Sequence, residues 1–350
     1  MKFTYAAAPH HIIFGQGAVR QTAAEAARLG GQRPFLVSTA GQMPKAAALL
    51  FEIDFAGRFE GAAMHTPVDV SAHALARLES VGGDLIVSFG GGSATGLGKA
   101  LAVRTGLPLI AIGTTYGGSE MTALLGETSD GVKATRRDPR ALPAAAIYDV
   151  DLTLSLSPAT SAASGINAIA HAVEASYASD GNPIVSAIAV DAIAALAGSL
   201  RRVVADPRDV AARSEALRGA CEAGLCLNGV SMGLHHKLCH MLGGAFDLPH
   251  AETHAIVLAH AMAYNAPAVQ PAYAAIGAAL GGDAVQILDR LARDIAPMTS
   301  LAALGMPEEG IDRAVELVMS KPYPNPVPLD EARIRGLIRR AWAGEAPAAV

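Results

Sequence analysis

Over the first 150 residues, short apolar runs alternate with amphipathic stretches. Pro34–Ser38, Asp84–Phe89, Pro108–Ile112 and Ala144–Tyr148 are compact, β-branched-rich and bounded by turn formers, so each predicts a buried strand. Between them, Gln21–Leu29, Met43–Phe51, Ser71–Val81 and Leu97–Thr105 repeat apolar residues at helical spacing and are long enough for crossover helices. Alternation of this kind predicts a parallel α/β layer. From about Leu152 the pattern changes. Helical periodicity then predicts Ala159–Ala178, Ile184–Val204, Val210–Leu227, Val230–Leu242, Glu252–Tyr264, Pro271–Ala279 and Ala284–Asp294, with more helix after Pro307. The expected organisation is an α/β domain over residues 1–152 and an all-α domain over 153–350, packed with a cleft between them.

Composition narrows the classes. Half of the 350 residues are hydrophobic (51%) and 17% are charged, as in a compact globular chain. A net charge of −5 argues against a general nucleic-acid binder, which needs a basic surface for phosphates. Cys221, Cys226 and Cys239 lack metal-type spacing and read as reduced, buried thiols. Met1–Ile13 holds histidines and a proline in place of a continuous apolar segment, so no signal peptide is expected. The Ala-rich stretch Ile184–Leu200 is interrupted by Asp191 and reads as a buried helix, not a membrane span. The expected location is the cytoplasm, with no membrane partner.

Candidate chemistry is concentrated in two places. The strand at Asp84–Phe89 runs into Gly90-Gly-Gly-Ser-Ala-Thr-Gly-Leu-Gly-Lys99, and a second loop, Gly113-Thr-Thr-Tyr-Gly-Gly-Ser-Glu120, follows the next strand. Glycines let backbone N–H groups approach a diphosphate, and a helix N-terminus favours its charge. Neither named motif is met: a dinucleotide fingerprint needs glycine where Thr95 stands, and a P-loop needs Ser or Thr where Ala100 stands. Five glycines between residues 90 and 98 exceed what a turn alone requires, which favours diphosphate binding. In the second half, six of the eleven histidines fall between residues 235 and 260. His236/His240, His250/His254 and Asn167/His171 are each spaced i,i+4, so each pair shares a helix face. Such a cluster suits metal ligation or proton transfer, and Asn167 is a poor ligand for a metal.

These motifs resemble the iron-containing (group III) alcohol dehydrogenase superfamily along essentially the whole chain. The matching segments are Gly90-Gly-Gly-Ser93 with Lys99, Thr114-Thr115 with Ser119-Glu120, Asn167-x3-His171 and His236-x3-His240-x9-His250. The resemblance implies a Rossmann-like parallel-sheet domain followed by a helical domain, the dehydroquinate synthase-like fold. Metal-using members carry an Asp and three His at positions that fall on Asn167, His171, His236 and His250, with a further active-site histidine at His240. They also carry an aspartate where this chain has Gly96. Both departures, with Ser161–His171 and the Arg137–Pro143 segment, resemble the maleylacetate reductase branch.

That branch implies reduction by NADH or NADPH of the C=C bond of maleylacetate to 3-oxoadipate, in aromatic-compound catabolism. Hydride addition β to the ketone leaves an enolate needing hydrogen-bond donors, then a proton, with cations for two carboxylates. The resemblance and the chemistry together place the diphosphate on Gly91, Gly92 and Ser93, with Thr114, Thr115 and Ser119 on the nicotinamide side. Lys133 falls near the nicotinamide ribose. His171, His236, His240, His250 and Asn167 are the expected catalytic set, with His236 or His240 as the acid. Lys237, His254 and Tyr116 are expected at the dicarboxylate substrate. Ser38, with no acid beside it at the strand end, predicts that NADPH is accepted as well as NADH. No metal and a homodimer are expected. The rivals are a metal-dependent alcohol or polyol dehydrogenase of the same fold, a cyclising lyase of the dehydroquinate synthase type, and a nucleotide-binding regulator.

Overall fold

The computed structural model describes residues 2–8, 11–129, 132–296, 298–320 and 323–348, without the side chains of Val132 and Lys133. The chain forms two compact units, Ala7–Leu156 and Ser157–Val350, the second taking in Met1–Ala6.

The first unit runs β1 (His11–Gly15), α1 (Thr22–Arg28), β2 (Pro34–Ser38), α2 (Met43–Leu49), β3 (Gly57–Phe59), α3 (Val68–Ser80), β4 (Leu85–Gly90), α4 (Gly92–Thr105), β5 (Leu109–Gly113), the hairpin β6 (Leu124–Ser129) and β7 (Val132–Arg137), β8 (Ala145–Asp149) and α5 (Val150–Thr153). Six strands form a parallel sheet in the order β1-β8-β5-β4-β2-β3. The four strands expected from apolar runs are the four inner ones. They are buried along their whole length, which is why they read as uninterrupted hydrophobic segments. The chain leaves β2 toward β3 and β4 toward β5, so the topological switch lies between β2 and β4, where α/β sheets bind ligands at the carboxyl ends. A cut after residue 152 falls inside α5, whose Leu152 packs with the sheet core.

Helix α4 begins at Gly92, five residues before the expected Leu97. Most of the glycine-rich stretch is therefore helix, and packing explains two of its glycines. A Cβ on Gly98 would lie 2.9 Å from Leu109 Cδ1 and 3.0 Å from Ser88 Cβ; one on Gly96 would lie 2.3 Å from Thr66 Oγ1. The bare backbone at Gly98 lets α4 settle onto the sheet, and that at Gly96 makes room for Thr66 in the segment before α3.

The second unit is helical: α6 (Pro158–Ser176), α7 (Pro183–Ala205), α8 (Val210–Gly229), α9 (Leu234–Phe246), α10 (His250–Asn265), α11 (Gln270–Leu280), α12 (Ala284–Ile295), α13 (Gly310–Ser320) and α14 (Glu331–Ala343). Ser157, Asn182 and Asp209 cap α6, α7 and α8 with side-chain oxygens, each satisfying amides that have no helical partner. Helix α7 is long and apolar enough to cross a membrane, and half of its apolar stretch is buried in this unit. A separate core joins α9, α10, α13 and α14 through Leu238, Leu242, Val257, Val315 and Leu337.

Candidate functional site

Helices α6, α9 and α10 bring the predicted histidines together. His171 stacks on His236, with ring centroids 4.9 Å apart and planes at 25°. His236 lies 6.4 Å from His240 and 5.0 Å from His254, His240 stacks on His250 at 5.8 Å, and His250 and His254 are 4.2 Å apart. His171, His236 and His254 are buried, His250 is half-buried and His240 is exposed. His235 joins the cluster from beneath, with Nε2 3.0 Å from the carbonyl of His254.

One carboxylate organises this assembly: Glu174 on α6, absent from the expected site. Oε1 accepts from the backbone N–H of His235 (2.7 Å), and Oε2 from those of Gly233 (3.0 Å) and His236 (3.3 Å). Oε2 also lies 2.7 Å from Nδ1 of His236. Glu174 thus caps the first turn of α9, where the helix dipole favours negative charge and Gly233 offers no side chain. This is why α9 starts at Leu234 instead of the expected Val230. The spacing Asn167-x3-His171-x2-Glu174, two turns of one helix face, was the available signal.

The hydrogen bonds set the tautomers. Three amides converging on Glu174 hold it as an acceptor, so His236 Nδ1–H donates to it and Nε2 carries a lone pair. Nε2 of His236, Nδ1 of His171, Oδ1 of Asn167 and both ring nitrogens of His254 are buried without a partner. Burial first, and neighbouring imidazoles second, push His171, His236 and His254 well below the ordinary histidine pKa. The same causes bring His235 to about 4. Burial pushes the Glu174 carboxyl up, opposed by His235 and the three amides. These rings are neutral near pH 7.

In the α/β unit, Gly91 and Thr115 bring the two loops against each other: a Cβ on Gly91 would sit 3.0 Å from Thr115 Cγ2. Thr114 N–H donates to the Gly90 carbonyl at 3.1 Å. No side chain caps α4, and its first bond runs from Thr95 N–H to the Gly91 carbonyl. The amides of Gly92 and half-buried Ser93 therefore stand at a helix N-terminus suited to an anion. A Cβ on Gly92 would meet nothing within 4 Å, so packing does not require that glycine. Its bare, exposed backbone leaves the helix N-terminus open to an anion.

Other expected residues behave differently. Ser38 is fully buried and donates to the Phe89 carbonyl at 2.7 Å, so its hydroxyl ties β2 to β4 and is not offered to a ribose. Tyr116 is fully buried, as is His254, which removes both from any solvent-facing wall for a substrate. Lys237 is exposed, with its ammonium 5.6 Å over the Tyr323 ring. Lys133 lies in β7, and its side chain is outside the described residues. Lys99 serves the fold: fully buried, it donates to Ser119 Oγ (3.2 Å), Thr122 Oγ1 (2.8 Å) and the Leu124 carbonyl (3.0 Å). Its pKa falls to about 7 through burial. Ser119 is thereby engaged from within.

The chain matches two family models, iron-containing alcohol dehydrogenase over residues 9–150 and the Fe-containing alcohol dehydrogenase family C-terminal domain over residues 161–342. It is 48% identical to a maleylacetate reductase of Sphingobium indicum, over 99% of each chain. Crystal structures of maleylacetate reductases from Agrobacterium tumefaciens (46% identity) and Rhizobium sp. strain MTP-10005 (47%) each superpose with a TM-score of 0.96, covering 99% of this chain and 100% of theirs. The iron in the family's description stands against the expectation of no metal, and the donors present decide how well an ion fits. Among the described residues, three groups of three donors lie within 4.8 Å of one another: His235/Cys239/His254, His240/His250/His254 and Glu174/His235/His236. The family positions His171, His236 and His250 form none of them, and Asn167 brings no charge. Glu174 is committed to four N–H groups. The residues at the family's metal positions do not fit a divalent ion. In sequence and in fold, the chain belongs to the iron-containing alcohol dehydrogenase family, in its maleylacetate reductase branch.

Proposed function

We propose that this protein reduces the C=C bond of maleylacetate to 3-oxoadipate with NADH or NADPH, without a metal. The observation that carries the reading is the donor set at the family's metal positions: Asn167 is uncharged, His171, His236 and His250 form no convergent group of three, and the nearby Glu174 carboxylate is already saturated by N–H groups. These positions offer hydrogen bonds to a polarised enone but no converging donors to a Lewis-acid ion.

The bound dihydronicotinamide supplies the hydride. The amides at the α4 N-terminus hold the diphosphate, and Thr114 and Thr115 lie on the adjacent loop. Of the two expected acids, His240 is the donor: it is exposed, whereas His236 gives its Nδ1–H to Glu174 and directs a lone pair from Nε2. Proton delivery by His240 quenches the substrate enolate. Lys237, exposed on the same helix, is the cation for a substrate carboxylate. With no acid at Ser38 or Thr39, NADPH is accepted beside NADH. The working unit in this reading is a homodimer in the cytoplasm, where the buried Cys221, Cys226 and Cys239, none of them in a disulfide, stay reduced.

The test is NADH consumption with maleylacetate before and after exhaustive chelation. Undiminished turnover is expected. Activity lost on chelation and restored by iron or zinc would overturn the metal-free reading. Turnover of simple alcohols without turnover of maleylacetate would favour the alcohol dehydrogenase alternative.

A further inference from the structure

We propose that His240, His250 and His254 form a binding site for a divalent transition cation such as zinc, and that filling it blocks the reaction. Their donor atoms lie within 4.8 Å of one another. Two of the three sit one turn apart on α10, the third comes from α9, and the rings of His250 and His254 are already 4.2 Å apart. Neutral imidazoles suit zinc, and three of them with an open fourth position make a recurrent zinc arrangement.

A second observation points the same way. His254 is fully buried and neither of its ring nitrogens has a partner. Buried polar atoms are nearly always satisfied, so a side chain with two orphaned nitrogens, packed among the rings of His235, His236, His240 and His250, calls for a ligand. A cation bonded to one of those nitrogens answers that need. The set shares only His250 with the positions at which metal-using relatives hold their ion, and it omits Asn167, His171 and His236. Occupation engages the lone pair of His240 and removes it as a proton carrier. The blocking effect rests on the proposed role of His240, whereas the binding of zinc does not.

The experiment measures zinc binding by calorimetry on the metal-stripped full-length protein, with ZnCl2 alone as the probe. It compares wild type with His240→Asn, His254→Asn and His171→Asn, each checked for native circular dichroism. Saturable uptake of one zinc per chain is expected, weakened about tenfold or more by His240→Asn and by His254→Asn but unchanged by His171→Asn. Because His240 is exposed, its variant keeps the test decisive if His254→Asn does not fold. NADH oxidation with maleylacetate should fall as the site fills and recover on adding EDTA. Absence of saturable zinc uptake, or uptake that needs His171 and not His240, overturns the site while leaving the proposed activity standing. Turnover that rises with zinc overturns the blocking role and the metal-free reading together.

Discussion

Replacing Glu174 by Gln alters one atom and one charge at the start of α9. In the native chain Oε1 accepts one N–H, from His235, and Oε2 accepts three, from Gly233, His236 and the His236 ring. A carboxamide keeps an acceptor on only one side. With its carbonyl at the Oε2 position three bonds survive, and the NH2 group then faces the His235 N–H inside a site only 1% exposed. Two buried donors pointing at each other cost about 1–3 kcal/mol. Loss of the charge at a helix N-terminus adds roughly 1 kcal/mol. Relief of carboxylate desolvation offsets part of this, leaving an expected destabilisation of about 2–3 kcal/mol. Urea unfolding followed by the fluorescence of Trp342, the single tryptophan and a residue of α14 in the same unit, measures it. A shift below about 0.5 kcal/mol would refute the assignment of Glu174 as the cap and His236 orienter.

Three further outcomes are expected. Lys99 has a folded pKa of about 7 against an ordinary 10.5, so between those values only the unfolded chain holds the proton. Stability from this group therefore rises with pH across that window, by up to about 5 kcal/mol, and is flat below it. Urea midpoints by far-UV circular dichroism should show the rise in wild type and a shallower slope in Lys99→Met; equal slopes would contradict the burial argument. Gly96→Ala should cost about 1–3 kcal/mol by driving its methyl into Thr66, itself at φ +49°. In a Thr66→Gly background, which removes the clash and the unfavourable φ, the same change should be nearly neutral in thermal melts. Ser38→Ala should cost about 1 kcal/mol through the lost bond to Phe89 and leave KM for NADH and NADPH unchanged; a change in KM for either would return Ser38 to the ribose.

The inner strands β2, β4, β5 and β8 were legible because strands covered on both faces must be apolar throughout. Edge strand β1 buries only Ile13 and offers just Ile12–Phe14 as an apolar run, β3 has three residues, and the β6–β7 hairpin lies outside the main sheet; none presents a long hydrophobic run. The histidine pairs were equally legible, since i,i+4 spacing puts each pair on one face before any tertiary contact forms. The glycine segment was half legible: its content pointed to close backbone approach, yet part of that approach is α4 meeting the sheet.

What the sequence determined by itself is periodic or compositional: the strand–helix order, the all-helical second half, the spacing of imidazoles, and an uncharged Asn167 one turn before His171. What only the tertiary structure decided is which polar atoms meet. Glu174 and His236 are 62 residues apart, and their bond sets the tautomer that directs the Nε2 lone pair. Ser38, Tyr116 and His254 looked available as polar residues in promising segments, but all three are buried. Local spacing dictates which face of a helix a side chain takes. Whether that face meets solvent, a carboxylate or another ring depends on helices packed from distant parts of the chain, because desolvation and hydrogen bonding, not residue type, set its chemistry.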